Sequence, residues 1–178
     1  ASLPCFVGRE SILRALVDGL HRHRSFALCG GPKTGRTSTL ERVVQDIQRR
    51  WKRKSDTTKV VPVVIDLRLA LDGGVRAFSM LFWEKITTAV TAPLVHGESI
   101  PPPLPRLDFK RIGKPWEEVE KALTEYWRAL KGNGAWCEYA LLIDRGDLLF
   151  HRKLEPAVDL FLRFFKKTGK FCMSVRLL

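Results

Sequence analysis

The residues best suited to chemistry lie in a glycine-rich stretch, CGGPKTGRTST, which runs from Cys29 to Thr39. Within it Gly30 and Gly35 are followed by a cation, Arg36, and a hydroxyl, Thr37. A loop with this spacing can turn its backbone N–H groups toward phosphate oxygens, while the cation neutralises the outer phosphates and the hydroxyl helps to hold magnesium. The spacing therefore predicts a phosphate-binding loop, and a glycine turn without a ligand is the alternative.

The usual pattern has lysine at the position of Arg36. An ammonium is compact and fits between the outer phosphates, whereas a guanidinium is a planar fork that needs more room and favours paired hydrogen bonds. We expect Arg36 to preserve phosphate binding and to impair alignment for phosphoryl transfer. The predicted phosphate-binding residues are Gly30, Gly31, Pro32, Lys33, Thr34, Gly35, Arg36, Thr37 and Ser38.

A second candidate group follows the apolar run at the start of LLIDRGDLL, residues 141–149. Hydrolases with such a loop place a carboxylate at the end of a neighbouring strand to fix the magnesium shell, and commonly an adjacent carboxylate to orient water. Asp144 fits the first role and would hold the metal together with Thr37. Arg145 occupies the second place. For Asp144, capping of a turn is the alternative.

These groups need elements to position them, and apolar periodicity supplies those elements. The short run at 25–29 predicts a strand that ends at the glycines, and Leu40, Val43, Val44 and Ile47 predict a helix from the loop to about Arg50. Further strands are predicted at 60–67, 138–144 and 170–178, and further helices around 12–20, 75–90, 116–130 and 154–165. Alternating helices and apolar strands favour an α/β fold, a three-layer sandwich whose parallel sheet has helices on both faces.

The length of 178 residues predicts one domain, residues 1–178. The proline-rich segment 96–109 is expected to form an extended surface connection. Because the last apolar run is expected to be a central or near-central strand, we expect the chain to be a fragment of a longer protein.

Composition narrows the classes of partner. The formal net charge is +12, and residues 1–60 hold 13 Lys and Arg against 5 Asp and Glu. This balance favours nucleotide phosphates, nucleic acid or an acidic protein surface as partners. The basic stretch from Arg49 to Lys54 suits a nucleic-acid contact, but a solvated helix end is the favoured interpretation. No apolar run approaches a membrane span, and four scattered cysteines favour a reducing compartment, so a cytoplasmic protein is expected.

Taken together, FVGRE (6–10), CGGPKTGRTSTL (29–40), VVIDLR (63–68), LLIDRGDLL (141–149) and KFCMSVR (170–176) resemble the AAA+ and STAND group of P-loop ATPases, close to families related to origin-recognition ATPases. The resemblance covers nearly the whole chain. It implies a P-loop fold that binds ATP or ADP with Mg²⁺, with Val7, Gly8 and Arg9 near the adenine and ribose. It also implies a γ-phosphate sensor at Ser174 or Arg176. Members of that group carry a C-terminal helical lid, which we do not expect within residues 1–178.

Two departures affect the same step. The group usually has lysine at Arg36 and glutamate at Arg145, so the resemblance implies slow or absent hydrolysis and a nucleotide that serves as a conformational latch. Many members have another acid where Asp147 stands, so the resemblance makes Asp147 the candidate for partial substitution, with capping of the turn as the alternative. The function expected is that of a switch domain in a larger signalling, defence or DNA-maintenance ATPase, which would assemble into oligomers through the full-length protein. The alternatives are a degenerate scaffold that binds nucleic acid or a protein partner without nucleotide, and, ranked last, a small-molecule phosphotransferase that uses the basic segment 106–114.

Overall fold

The computed structural model describes residues 9–22, 35–51, 59–91, 104–132 and 137–168. These ranges contain five α-helices, two β-strands and two short 3-10 turns. The order is α1 (Glu10–His21), α2 (Arg36–Trp51), β1 (Lys59–Asp66), a first 3-10 turn (Leu67–Ala70), α3 (Gly74–Thr91), α4 (Pro115–Gly132), β2 (Cys137–Asp144), a second 3-10 turn (Gly146–Phe150) and α5 (Glu155–Thr168). The fold is therefore mixed α/β, as the alternating pattern predicts.

The two strands pair in parallel, in a register that aligns Lys59 with Cys137 and Asp66 with Asp144. Successive side chains of a strand point to opposite faces, and the apolar core divides accordingly. One cluster joins Val61, Val63, Ile65, Tyr139, Leu141 and Ile143 to α3, α4 and α5. The other joins Val60, Ala140 and Leu142 to α1 and α2. Helices thus cover both faces of this two-strand sheet, in agreement with the prediction of a parallel sheet covered by helices.

The larger cluster is built around aromatic rings. Phe161 is fully buried and its ring lies 5.6 Å from that of Phe78 and 5.5 Å from that of Phe82, both edge to face. Trp116 completes the group, 6.0 Å from Phe161. Edge-to-face packing at these separations is the arrangement that aromatic quadrupoles favour, so α3, α4 and α5 are fixed against one another at this point.

The elements begin and end close to the predicted positions. The main difference is at β1, which was expected to continue to Leu67 but ends at Asp66. The Asp66 carboxylate accepts a hydrogen bond from the Arg68 backbone N–H at 3.0 Å, which turns the chain into the first 3-10 turn. The last residue of β1 is therefore Asp66, whose carboxylate is bonded to the turn that follows the strand.

Of the segment expected to form a surface connection, the structure describes 104–109. Leu104 in this segment is buried, and Leu107 and Phe109 pack against the larger core cluster. Arg76 of α3 donates hydrogen bonds to the backbone oxygens of Phe109 and Ile112, which ties the segment before α4 to α3. Among the described helices, none combines the length and apolar character that crossing a membrane requires.

Candidate functional site

The central contact of the candidate site joins the two halves of the predicted motif. Thr37, in the first turn of α2, donates from Oγ1 to Oδ2 of Asp144, the last residue of β2, at 2.9 Å. The two residues are 107 positions apart, and Asp144 is 8% exposed. The structure therefore brings the predicted hydroxyl and the predicted carboxylate together.

A second set of contacts fixes the beginning of α2. Gly35 has φ of 71°, the left-handed region that glycine adopts without strain. Its carbonyl accepts from the Thr39 backbone N–H at 2.9 Å and from Thr39 Oγ1 at 2.8 Å. Thr39 Oγ1 in turn accepts from Nη1 of Arg9 at 3.2 Å. The residue expected near a base and sugar thus contacts the first turn of α2.

The structure adds an acidic residue that the sequence analysis did not select. Asp66 is the register partner of Asp144, and each is the last residue of its strand. Because alternate residues of each strand face the α1 and α2 layer, both aspartates belong to that face of the sheet. A signal was present in the sequence: VVID (63–66) and LLID (141–144) are the same pattern, three apolar residues and an aspartate.

The Asp66 carboxylate accepts side-chain hydrogen bonds from Arg68, two residues further along the chain. Nε of Arg68 lies 3.0 Å from both carboxylate oxygens of Asp66, and Nη2 also donates to Oδ2. These side-chain hydrogen bonds hold the pKa of Asp66 below its ordinary value, and the positive charge of Arg145 acts in the same direction. Asp66 is therefore an ionised carboxylate that is paired with the Arg68 guanidinium.

Arg145 follows Asp144 with φ of 60° and ψ of 45°, a left-handed conformation that is uncommon for residues other than glycine. Its backbone N–H donates to Oδ1 of Asp144 at 2.9 Å. Both oxygens of Asp144 thus accept hydrogen bonds, one from α2 and one from the turn that follows β2. Asp147 lies in the first turn of the second 3-10 segment and is exposed.

The remaining predicted site residues divide into two groups. Ser38 is exposed in the first turn of α2, and Arg36 is the first residue of that helix. The others lie outside the described residues: Val7, Gly8, Gly30, Gly31, Pro32, Lys33, Thr34, Ser174 and Arg176. The predicted strands at 25–29 and 170–178, and Lys52 to Lys54 of the basic stretch, are outside them as well.

A cleft of about 300 Å³ is lined by residues of α1 and α2, the two helices on this side of the sheet. Leu13 and Val17 form its apolar part, and the charged lining consists of Glu10, Arg14, Arg42, Asp46 and Arg49. Asp46 lies between two arginines, 3.4 Å from Nε of Arg42 and 3.3 Å from Nη1 of Arg49. Three guanidinium groups against two carboxylates give the cleft a positive balance.

Comparison with protein-family models, with curated proteins and with solved structures finds no match to this chain. Within the ranges that the structure describes, no group of three or more His, Cys, Asp or Glu side chains is arranged to hold a metal ion. Thr37 and Asp144 are therefore the described residues whose geometry bears most directly on function.

Proposed function

We propose that this chain is a nucleotide-binding P-loop switch domain that binds ATP or ADP and hydrolyses ATP slowly or not at all. The observation that carries the proposal is the 2.9 Å contact between Thr37 and Asp144. It joins the hydroxyl that follows a glycine-rich loop to the carboxylate that ends a parallel strand. These are the two protein groups that a magnesium nucleotide requires on its protein side.

The start of α2 supports the same proposal. A helix N-terminus carries unpaired backbone N–H groups and a partial positive charge, which together favour an anion. The first turn of α2 contains no acidic residue, and Gly35 supplies the left-handed turn that brings the loop into the helix. A phosphate at this end would therefore meet donors without a carboxylate of the same turn opposing it.

The residues present also fit magnesium. This ion prefers oxygen ligands and usually keeps several waters, taking one or two protein groups together with phosphate oxygens. Thr37 and Asp144 offer one hydroxyl and one carboxylate, already directed at each other. Bound there, magnesium would neutralise charge on the outer phosphates, while Thr37 and Asp144 orient its shell.

The arrangement around the proposed metal supports slow hydrolysis. Arg145 occupies the place of a water-orienting carboxylate, and its backbone N–H binds Asp144. The neighbouring carboxylate, Asp66, accepts hydrogen bonds from Arg68 on both oxygens. The Arg68 hydrogen bonds hold the pKa of Asp66 below its ordinary value, which makes Asp66 a weaker base toward an attacking water molecule.

The proposal is tested by titrating the protein with a fluorescent ATP analogue, with magnesium and with a chelator. We expect the parent to bind in both conditions and more tightly with magnesium. Asp144→Ala and Thr37→Val should lose the magnesium-dependent gain, about tenfold in affinity, and Arg36→Ala should weaken binding in both conditions. Thr124→Val is the matched control, because the Thr124 hydroxyl of α4 bonds within its own helix, to the Glu120 carbonyl. No binding by the parent, or unchanged binding by Arg36→Ala, would overturn the proposal.

Turnover is tested separately. Arg145→Glu restores a carboxylate beside Asp144, and we expect its ATP hydrolysis rate to rise above that of the parent. A rise would indicate that the parent lacks only the group that aligns water. An unchanged rate together with intact binding would place the defect elsewhere, with Arg36 the first candidate.

The second candidate function is a scaffold that binds nucleic acid or an acidic protein without nucleotide. The positive cleft between α1 and α2 favours it, because Arg14, Arg42 and Arg49 all line this one groove. Labelled single-stranded DNA and an acidic peptide distinguish the two partners in an anisotropy titration. Binding that falls steeply with salt and is lost in Arg14→Gln, from a parent that does not bind nucleotide, would select this function.

A further inference from the structure

Arg9 connects two helices that are separate in sequence. It immediately precedes α1, and its backbone carbonyl accepts from the Leu13 N–H at 2.9 Å, so the residue is part of the first turn of that helix. Its side chain leaves α1 and donates to Thr39 Oγ1 of α2 at 3.2 Å. The backbone of Arg9 therefore bonds to α1, and its guanidinium bonds to α2.

The Thr39 hydroxyl makes this connection directional. Thr39 is 1% exposed, and its hydroxyl proton is donated to the Gly35 carbonyl at 2.8 Å. The hydroxyl oxygen is therefore the acceptor for Arg9. Hydrogen bonds run from Arg9 to Thr39 and from Thr39 to the peptide oxygen of Gly35, the residue at the end of the glycine-rich loop.

The guanidinium also lies against Gly35 itself. A Cβ placed on Gly35 would be 3.6 Å from Nη1 of Arg9, an ordinary packing distance. The positive charge of Arg9 is thus in contact with the turn where the loop becomes α2. A cation at this position adds to the positive end of the helix and favours an anion bound there.

We propose that Arg9 is a positioning residue for the phosphate loop, which holds the Gly35 peptide through Thr39 and thereby couples the docking of α1 to anion binding at α2. The inference rests on the proposed function, which it extends by naming a residue that controls the loop from another helix. It differs from the role that the family resemblance implies, in which Arg9 lies near the adenine and ribose.

The test measures ADP affinity in the presence of a chelator, so that the magnesium ligands do not contribute. Four variants are compared with the parent: Arg9→Ala, Thr39→Val, Thr39→Ser and the double variant Arg9→Ala with Thr39→Val. We expect each of the first two to weaken ADP binding about tenfold, and the double variant to be no weaker than either. Thr39→Ser retains the hydroxyl and should remain within about twofold of the parent.

Pyrophosphate as a competitor separates the loop from the base. If Arg9 acts through the loop, Arg9→Ala weakens pyrophosphate and ADP by the same factor. Parental affinity for pyrophosphate in Arg9→Ala, with weakened ADP, would overturn the inference in favour of contact with the base or sugar. So would a failure of pyrophosphate to displace the fluorescent analogue from the parent.

To exclude a merely structural role for Arg9, the ADP affinity of each variant is compared with its free energy of unfolding. The coupling between Arg9 and Thr39 should appear in ADP affinity at a temperature where all variants are folded. Additive losses of affinity in the double variant would overturn the inference while leaving the proposed function intact. Failure of the parent to bind ADP at all would instead overturn the proposed function.

Discussion

Asp66 and Asp144 are register partners at the ends of two adjacent parallel strands, and their carboxylates accept hydrogen bonds from different groups. Asp144 accepts from Thr37 and from the Arg145 backbone, whereas Asp66 is held by the Arg68 guanidinium. Paired positions of neighbouring strands lie about 5 Å apart, so two free carboxylates there would repel each other. Arg68 therefore offsets the charge of one of two acids that would otherwise form one anionic site.

Removing that cation should create a site for divalent ions in the free protein. In Arg68→Met, Asp66 loses its partner beside Asp144, and two carboxylates on one sheet edge are a good set of ligands for Mg²⁺ or Mn²⁺. We expect 10 mM Mn²⁺ to raise the unfolding midpoint of this variant by roughly 2–4 °C and that of the parent by about 1 °C or less. Thermal unfolding with and without the ion measures the effect. Arg128→Met, which removes an exposed arginine of α4, is the control and should behave as the parent.

The Asp66 and Arg68 pair should also contribute to acid sensitivity. The Arg68 hydrogen bonds hold the pKa of Asp66 below its ordinary value. A group whose pKa is lower in the folded state stabilises the fold above the unfolded-state value of about 4 and loses this contribution as the pH falls through the folded-state value. Asp66→Asn should therefore show a shallower loss of stability below about pH 4 than the parent, and the difference should be small because the pair is partly exposed.

Urea unfolding at a series of pH values from neutral to acid measures this difference. Arg68→Gln removes the same side-chain interaction by changing the other partner. The free energy of unfolding of this variant should therefore fall with decreasing pH as it does in Asp66→Asn. Retention of the parental slope in both variants would contradict the assignment of the pH dependence to this pair.

The backbone of Arg145 predicts an unusual order of stabilities. Residues other than glycine pay about 1 kcal/mol to occupy the left-handed region, and asparagine pays less than most. The hydrogen bond to Asp144 comes from the backbone N–H and survives any substitution except proline. We therefore expect Arg145→Gly and Arg145→Asn to equal or exceed the stability of the parent, by up to about 1 kcal/mol, and Arg145→Val to be less stable by about 1 kcal/mol or more. A more stable valine variant in urea unfolding would contradict this conformation.

The aromatic cluster gives a prediction with a neighbouring control. Phe161 is fully buried among three aromatic rings, so Phe161→Ala should lower the free energy of unfolding by about 3–5 kcal/mol. Leu162, the next residue of α5, is 46% exposed, and Leu162→Ala should cost about 1 kcal/mol or less. Equal losses for the two variants in urea unfolding would show that α5 does not present this face to the core.

Comparison of sequence and structure shows what periodicity can supply. The helices and strands within the described residues follow from apolar spacing. The proximity of Thr37 and Asp144 follows from motif patterns instead, because each residue completes one half of a magnesium-binding pattern. The role of Asp66 does not follow, because it depends on which strands are neighbours and in what register. VVID and LLID are alike in sequence, but only the parallel pairing places their aspartates side by side.

Local chemistry explains the other differences. β1 ends at Asp66 because the Asp66 carboxylate accepts a hydrogen bond from the Arg68 backbone N–H. The apolar pattern continues to Leu67 and so does not predict this end. The left-handed backbone of Arg145 has no sequence signal of its own, since neither glycine nor asparagine stands there. The contact of Arg9 with Thr39 joins residues 30 positions apart and requires the packing of α1 against α2. Whether Arg9 also approaches a base stays a prediction.

Thr37 and Asp144, the partners of the central contact, lie in different layers of the fold. Thr37 belongs to the layer of α1 and α2, and Asp144 to the sheet, and the layers meet through apolar residues such as Val43 and Leu142. Apolar packing has little directional preference and tolerates small displacements, whereas a hydrogen bond of 2.9 Å is lost once the atoms separate by about 1 Å more. A small displacement of the helical layer relative to the sheet would therefore break the hydrogen bond between Thr37 and Asp144 before it disrupts the apolar core.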